Sequence, residues 1–374
     1  MDIIDHGLIY DAASAPDHQR TNCFTSLLVL PDDTLLASFR YGYTKDDCDE
    51  NILIRRSRDL GGTWETVFQA LPSVSNGVHG AYRYGGISLS PSGRLMGAFC
   101  WFDRSDPSRP LASPDTQGTL PSKVFLLESD DEGATWVDRR EVDTTPLTGI
   151  ASTGAPMWLR TGELAIPYEA WKSYDDTSRG FHHAVLRLSR DNGHTFNETS
   201  IVAHDPTGDV FYWDQRVAMD PNSGELIALF WTHDRIKQQD INIHISWGSA
   251  DGRTWTQPYD TGVAGQIANP LVLPDGRLLA VYVHRHAPPS LRAIVSRDHG
   301  RTWDKDNELV FYESRSGAES GMDGSRDFGD YWNDMFVWSF GHPEARLLAN
   351  GEVFIAHYGG APTALSMHWV RVSV

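Results

Sequence analysis

The sequence predicts an all-β chain folded as a six-bladed β-propeller, and three observations carry that expectation. Short apolar, β-rich runs recur along the 374 residues, among them TSLLVL, TLLASF, ELIALF, RLLAVYV and EVFIAHY. They are bounded by PDD, NSG, PDG and NG turns, the chemistry of paired strands joined by tight hairpins. Helical periodicity is scarce, and one eight-residue motif repeats five times.

That motif is S-x-D-x-G-x-T-W. Ser57–Trp64, Ser129–Trp136 and Ser296–Trp303 match it at every fixed position; Ser189–Phe196 ends in Phe, and Ser249–Trp255 is one residue shorter. The starts are separated by 72, 60, 60 and 47 residues, and repeats at such spacing are the mark of an array of similar supersecondary units. The motif reads as a turn: Asp accepts N–H groups across it, Gly takes the positive φ, and Trp packs beneath a neighbouring sheet.

Two-strand hairpins near residues 24–40, 86–101, 155–169, 216–231, 268–284 and 343–358 account for the whole chain as six units. The sixth is followed by TALSMHWVRVSV, which supplies a third strand but no motif, and the N-terminal HGLIYDA supplies the missing outer strand. Residues 1–374 are thereby expected to form one domain, a ring of six four-stranded blades whose last blade is closed by the first strand.

The repeated S-x-D-x-G-x-T-W resembles the Asp box, or BNR repeat, of the sialidase (neuraminidase) superfamily, over essentially the full length. The resemblance implies a six-bladed fold with Asp59, Asp131, Asp191, Asp251 and Asp298 in structural turns away from the pocket. It leaves the reaction open, because fold does not fix function. A sialidase needs an arginine triad for the sialate carboxylate, an Asp acid/base and a Tyr–Glu nucleophile. Cys23 stands where the first arginine is expected, the Phe230-Trp231-Thr232 stretch replaces the second, and Arg285 lies near the third. Trp338, His342 and Glu344 occupy the region of the Tyr, with Tyr331 the nearest upstream. Asp46 and Asp47 keep a spacing similar to that of the family's acid/base Asp, but the incomplete arginine triad implies that this is not a typical sialidase.

In a propeller the functional face is built by loops before the innermost strand of each blade and after the second. Those positions carry Arg20, Arg40, His79, Arg83, Tyr84, Trp101, Trp213, Arg216, Trp231, His284, Arg285 and His357 as expected substrate contacts. Flat aromatic faces stack on sugar C–H surfaces, and guanidinium forks bind hydroxyls or a carboxylate. Asp46, Asp47, Asp214, Glu169 and His342 are the expected catalytic groups. Glycoside hydrolysis needs two carboxylates, one held protonated, and one of Asp46/Asp47, the acid/base pair, is expected to work with Asp214 or Glu169. The expectation is therefore an exo-acting glycoside hydrolase with no cofactor. Two alternatives stand beside it. One is a uronate-specific lyase using His79, Arg83, Tyr84, His284, Arg285, His286 and His342, since proton abstraction beside a carboxylate needs a neutralising cation and a base. The other is a non-catalytic glycan-binding propeller. Two polar insertions, 104–121 and 311–334, fall on the same face as cover segments.

Composition narrows the partners. Lys plus Arg is 32 and Asp plus Glu is 50, a net charge of −18, which disfavours nucleic acid and anionic membrane surfaces. No apolar run is long enough to span a bilayer. Cys23, Cys48 and Cys100 form no CxxC pair, and the start MDIIDHGLIYDAA has no signal-peptide pattern, so a cytoplasmic location is expected. His182-His183 and His284-x-His286 lack a third ligand by spacing, and no metal is expected.

Overall fold

The computed structural model describes residues 1–314 and 325–374. Its sheets are antiparallel four-strand groups that follow one another along the chain. The first is Thr21–Val29, Leu35–Gly42, Asn51–Ser57 and Glu65–Gln69; the second is Val78–Leu89, Leu95–Asp103, Ser122–Ser129 and Val137–Glu141, with Val74–Ser75 on its edge. In the third, Ile150–Ser152 and Met157–Trp158 both pair with Leu164–Ala170, followed by His183–Ser189 and Glu198–His204. The fourth is Val210–Met219, Leu226–Asp234, Gln239–Gly248 and Tyr259–Asp260; the fifth is Ala268–Val272, Leu278–His284, Ser290–Ser296 and Leu309–Glu313. The last comprises Phe340–Leu347, Val353–Ala361, Ala364–Ser373 and, from the other end of the chain, Asp2–Tyr10. It joins the first group into one eight-stranded sheet through a single parallel bridge, Thr21 to Leu365.

The second strand of each group is almost wholly buried, as in Leu35–Gly42 and Leu226–Asp234, so these strands read as continuous apolar runs, not as alternating ones. The first strands touch those of neighbouring groups: Thr21–Val29 lies against both Val78–Leu89 and Phe340–Leu347, and Ala268–Val272 against both Val210–Met219 and Phe340–Leu347. Their apolar side chains fill the clefts between sheets, as where Leu279, Val281 and Leu291 meet Phe340, Ala345 and Ile355.

All five repeated motifs sit between the third and fourth strands of their groups. The four eight-residue copies share one hydrogen-bond pattern. In Ser129–Trp136 the Ser129 hydroxyl donates to Asp131 at 2.9 Å and accepts the Gly133 N–H at 2.9 Å, while Asp131 accepts the Thr135 N–H at 2.8 Å and hydroxyl at 2.7 Å. The Asp131 carboxyl is held below its usual range by the Thr135 and Ser129 donors, against a burial that pushes it up. The shorter Ser249–Trp255 brings Arg253 N–H to Asp251 in place of the threonine donors. Gly61 shows why this position is glycine: its φ is +95°, and a Cβ there would sit 2.7 Å from the Trp369 ring. Asp131→Ala is expected to lower unfolding free energy by about 1 kcal/mol and to leave ligand binding intact. Urea unfolding and a titration on the same sample check both.

The structure adds an element not expected from the sequence. A helix, Phe328–Val337, begins in the second polar insertion and ends just beyond it; residues 315–324 of that insertion lie outside the described residues. Asp327 and Asp330 close a reciprocal capping box at its start, with bonds of 3.0 and 2.8 Å.

Candidate functional site

Four first strands carry β-bulges near one end, and these bulges build the site. Register shifts fall between Cys23 and Ser26, Tyr82 and Tyr84, Trp213 and Arg216, and Gly341 and Glu344. The residues inside them include Phe24, Arg83, Asp214 and His342; Phe24, Asp214 and His342 have φ of 57°, 47° and 46°. A bulge re-aims a side chain that would otherwise alternate with the pleat, and non-glycine residues at positive φ concentrate at functional sites. Phe24, Arg83 and Asp214 all line one cavity of about 150 Å³.

The other walls of that cavity include Tyr84, Glu169, Trp213 and Trp231 from the sheets, Trp171 and His182 from the loop between two strands, and Tyr331, Trp332 and Met335 from the helix. A second cavity, about 300 Å³, shares Arg83, Leu111, Trp332 and Met335 with the first. Its remaining walls include Lys45, Asp46, Ser113, Asp330 and Asn333. The two insertions, 104–121 and the helix, thus face each other across one divided cleft.

Asp214 is the most perturbed carboxyl facing this space. Burial pushes it up to about 7, helped by the neighbouring Glu169 and opposed by Arg216, which donates to it at 3.4 Å. Glu169 accepts the Asp214 backbone N–H at 2.9 Å and contacts His182 Nε2 at 3.2 Å. Arg216 is fixed by the carbonyls of Thr153 and Gln215, and donates to His342 Nδ1 at 3.1 Å. Burial and the surrounding Arg216, Arg285 and Arg40 drive His342 well below the usual histidine range. Its Nδ1 is therefore the unprotonated nitrogen that accepts, and the His342 ring packs at a tilt against Phe24 with centroids 4.2 Å apart.

A second ionic group lies beside the divide. Arg83 donates to Glu50 at 2.7 Å and to Asp46 at 3.2 Å, and Glu50 also pairs with Arg40. Asp46 further meets Arg104 at 3.0 Å and accepts the Leu111 N–H at 3.2 Å. Asp47 instead accepts the N–H groups of Tyr43 (2.6 Å) and Asp49 (3.0 Å), shaping its own loop. On the far wall, Tyr331 donates to Asp240 at 2.6 Å beside His233, and burial with Asp240 raises its hydroxyl far above the ordinary phenol range.

Several expected contacts lie elsewhere. Arg20 is paired with Asp17 at 3.2 Å and half exposed. His79 sits on the rim against Asp49 and the Cys48 carbonyl. Trp101 is buried in the core, donating to the Ser73 carbonyl. His284 faces His286 with centroids 5.5 Å apart, and burial lowers it to about 4. Arg285 is buried over the Trp338 ring and holds Gln266 and the Phe340 carbonyl. His357 stacks on His368 within the last sheet. Of the histidines expected for a lyase, His79, His284 and His286 do not line the cavity that Tyr84 lines, whereas His342 packs on Phe24 of its wall. Among the described residues no group of three or more His, Cys, Asp or Glu side chains is placed to hold a metal.

The fold and its five repeated turns define a BNR-repeat protein. The family model described as "BNR repeat-like domain" matches residues 111–355, and the chain belongs to that family. Comparison with curated proteins returned no match. Among solved structures, a protein of unknown function from Dyadobacter fermentans is 18% identical with a TM-score of 0.72, covering 100% of this chain and 99% of that one. The Hadza microbial sialidase Hz136 is 16% identical with a TM-score of 0.66, over 99% of this chain and 68% of the other. The intramolecular trans-sialidase from Ruminococcus gnavus, in complex with oseltamivir carboxylate, is 14% identical with a TM-score of 0.62, over 100% and 98%. No helix of the described residues is long and apolar enough to cross a membrane.

Proposed function

We propose that the chain is a closed six-bladed propeller, folded as one domain, that acts as an exo-glycoside hydrolase on a carbohydrate bound in the divided cleft. The observation that carries the reading is Asp214: a carboxyl raised to about 7 in a cavity walled by Trp171, Trp213 and Trp231. A carboxyl with that affinity is about half protonated at neutral pH, and its protonated form delivers the proton to a leaving glycosidic oxygen, the role of a general acid. Glu169, anchored by the Asp214 N–H and His182, is the second carboxylate of the pair. The aromatic walls take the C–H faces of the sugar.

Asp214 is favoured as the acid over Asp46 and Asp47. Asp47 is engaged with its own loop, and Asp46 is occupied by Arg83, Arg104 and the Leu111 N–H, which suits it to orienting the arginine at the divide. The Tyr331–Asp240 pair supports the kinship of the site with a tyrosine–carboxylate arrangement. Incubation with sialosides, arabinans and uronate-containing oligosaccharides tests the reading. New reducing ends without the ultraviolet absorbance of an unsaturated uronate are expected. A rise in that absorbance would make the protein a lyase, and binding without any product would make it a glycan-binding module.

A further inference from the structure

The dipeptide Lys45–Asp46 lines the second cavity and bonds to both the helix and the 104–121 insertion. Lys45 is buried, 7% exposed, in the loop after Leu35–Gly42. Its ammonium donates to the Met335 carbonyl at 2.8 Å and to the Trp338 carbonyl. These belong to the last turn and the C-cap of the helix, where carbonyls have no partner within the helix and a cation is favoured by the helix dipole. The Lys45 backbone carbonyl accepts Arg40 at 2.9 Å and Arg83 at 3.0 Å. The next residue, Asp46, holds Arg83, Arg104 and the Leu111 N–H of the other insertion.

The helix has further anchors from other directions. Tyr331 reaches Asp240, Arg326 pairs with Asp334 at 2.8 Å, and the Arg326 N–H donates to the Gln238 carbonyl at 2.6 Å. Those ties hold it to the fourth sheet, whereas Lys45 holds its C-terminal end to the first. Trp332 and Met335 wall both cavities; Trp332 lies between these attachments, and Met335 is held by Lys45 itself. A buried ammonium is costly unless its donors are satisfied, so the lysine and the helix end stabilise each other.

We propose that Lys45 is a positioning residue: it fixes the helical wall of the cleft relative to Asp46 and Arg83, so that a sugar meets a preformed site. The role in substrate binding rests on the hydrolase reading above; the mechanical tie does not. Lys45→Met keeps the apolar stem and removes the donor. In this variant the amides of residues 335–338 are expected to exchange with deuterium at least about tenfold faster, the size of one lost charge-assisted hydrogen bond. Amides of the remote strand Leu278–His284 keep their protection. On the sugar identified by the panel, KM rises by about tenfold while kcat stays within about threefold, as for loss of uniform binding. Lys45→Arg restores both readouts in large part. If Lys45→Met does not fold, Lys45→Gln, which retains a neutral donor, is read in the same way with smaller shifts.

Unchanged exchange at 335–338 in a folded variant overturns the tie. Faster exchange with unchanged KM overturns the positioning role and leaves a stabilising contact. If the wild-type protein cleaves no sugar, the hydrolase reading falls on its own, and the exchange measurement, made without ligand, still decides whether Lys45 holds the helix.

Discussion

Asp214→Asn is expected to lower kcat/KM by about 10²- to 10⁴-fold, the usual worth of a positioned acid, while making the folded protein more stable at pH 8. The two effects share one cause. Unfolded, this carboxyl has its ordinary value of 3.8; folded, burial and Glu169 raise it to about 7. Between those values the native state holds a proton that the unfolded chain has released. Stability therefore falls as pH rises through that window, by up to about 1.4 kcal/mol per pH unit. Asp214 is partly accessible, with 23% of its side chain exposed, so the accumulated cost above pH 7 is on the order of 2 to 4 kcal/mol. Asparagine carries no such charge, and it tolerates the φ of 47° at this bulge. Urea unfolding at pH 8 and pH 4 checks the sign: the variant gains at pH 8 and the gain vanishes at pH 4. Equal stability at pH 8 would mean that Asp214 titrates normally and is not the acid. Activity of the wild type is expected to decline as pH rises through 7, because the working form is protonated.

The second large effect is structural. Glu50 is 1% exposed and faces two buried guanidinium groups, those of Arg40 and Arg83. Removing one partner of a buried ionic group leaves charge without compensation, which costs about 3 to 5 kcal/mol. Glu50→Ala is expected to lose that much in urea unfolding and to weaken sugar binding as well, since Arg83 lines both cavities. Glu50→Gln, which keeps an acceptor, loses less. A loss under about 1 kcal/mol would show that water, not Glu50, satisfies these arginines.

The strand groups were legible because their signals are local and repeated. The S-x-D-x-G-x-T-W turns recur with the same donors and acceptors, and the buried second strands stand out as apolar runs between turn residues. The cavity was partly legible for the same reason: Arg83, Tyr84, Glu169, Trp213, Asp214 and Trp231 flank hairpins whose register can be read. Which of them point inward could not be read, because the bulges at Phe24, Asp214 and His342 break the alternation and are made by residues that do not usually take positive φ. Glu50 and Lys45 carried no signal, since an isolated charge in a polar loop looks the same whether exposed or buried. The helix left one, the Asp327-x-x-Asp330 capping pair ahead of Tyr331, Trp332 and Met335, but its short apolar stripe begins in a polar insertion.

The pairing of Asp2–Tyr10 with Ala364–Ser373, in which Asp2 lies opposite Ser373, bears on how the molecule comes to be folded. The contact spans nearly the full sequence, so the loop that must close is as long as the chain itself, and such contacts slow folding. During synthesis the other sheets can assemble in order as they emerge, but the final sheet must wait for Ala364–Ser373. Until then Ile3, Ile4 and Leu8, which remain exposed even in the finished fold, belong to a strand with both edges open. That interval is when the nascent chain is most exposed to pairing with a neighbour.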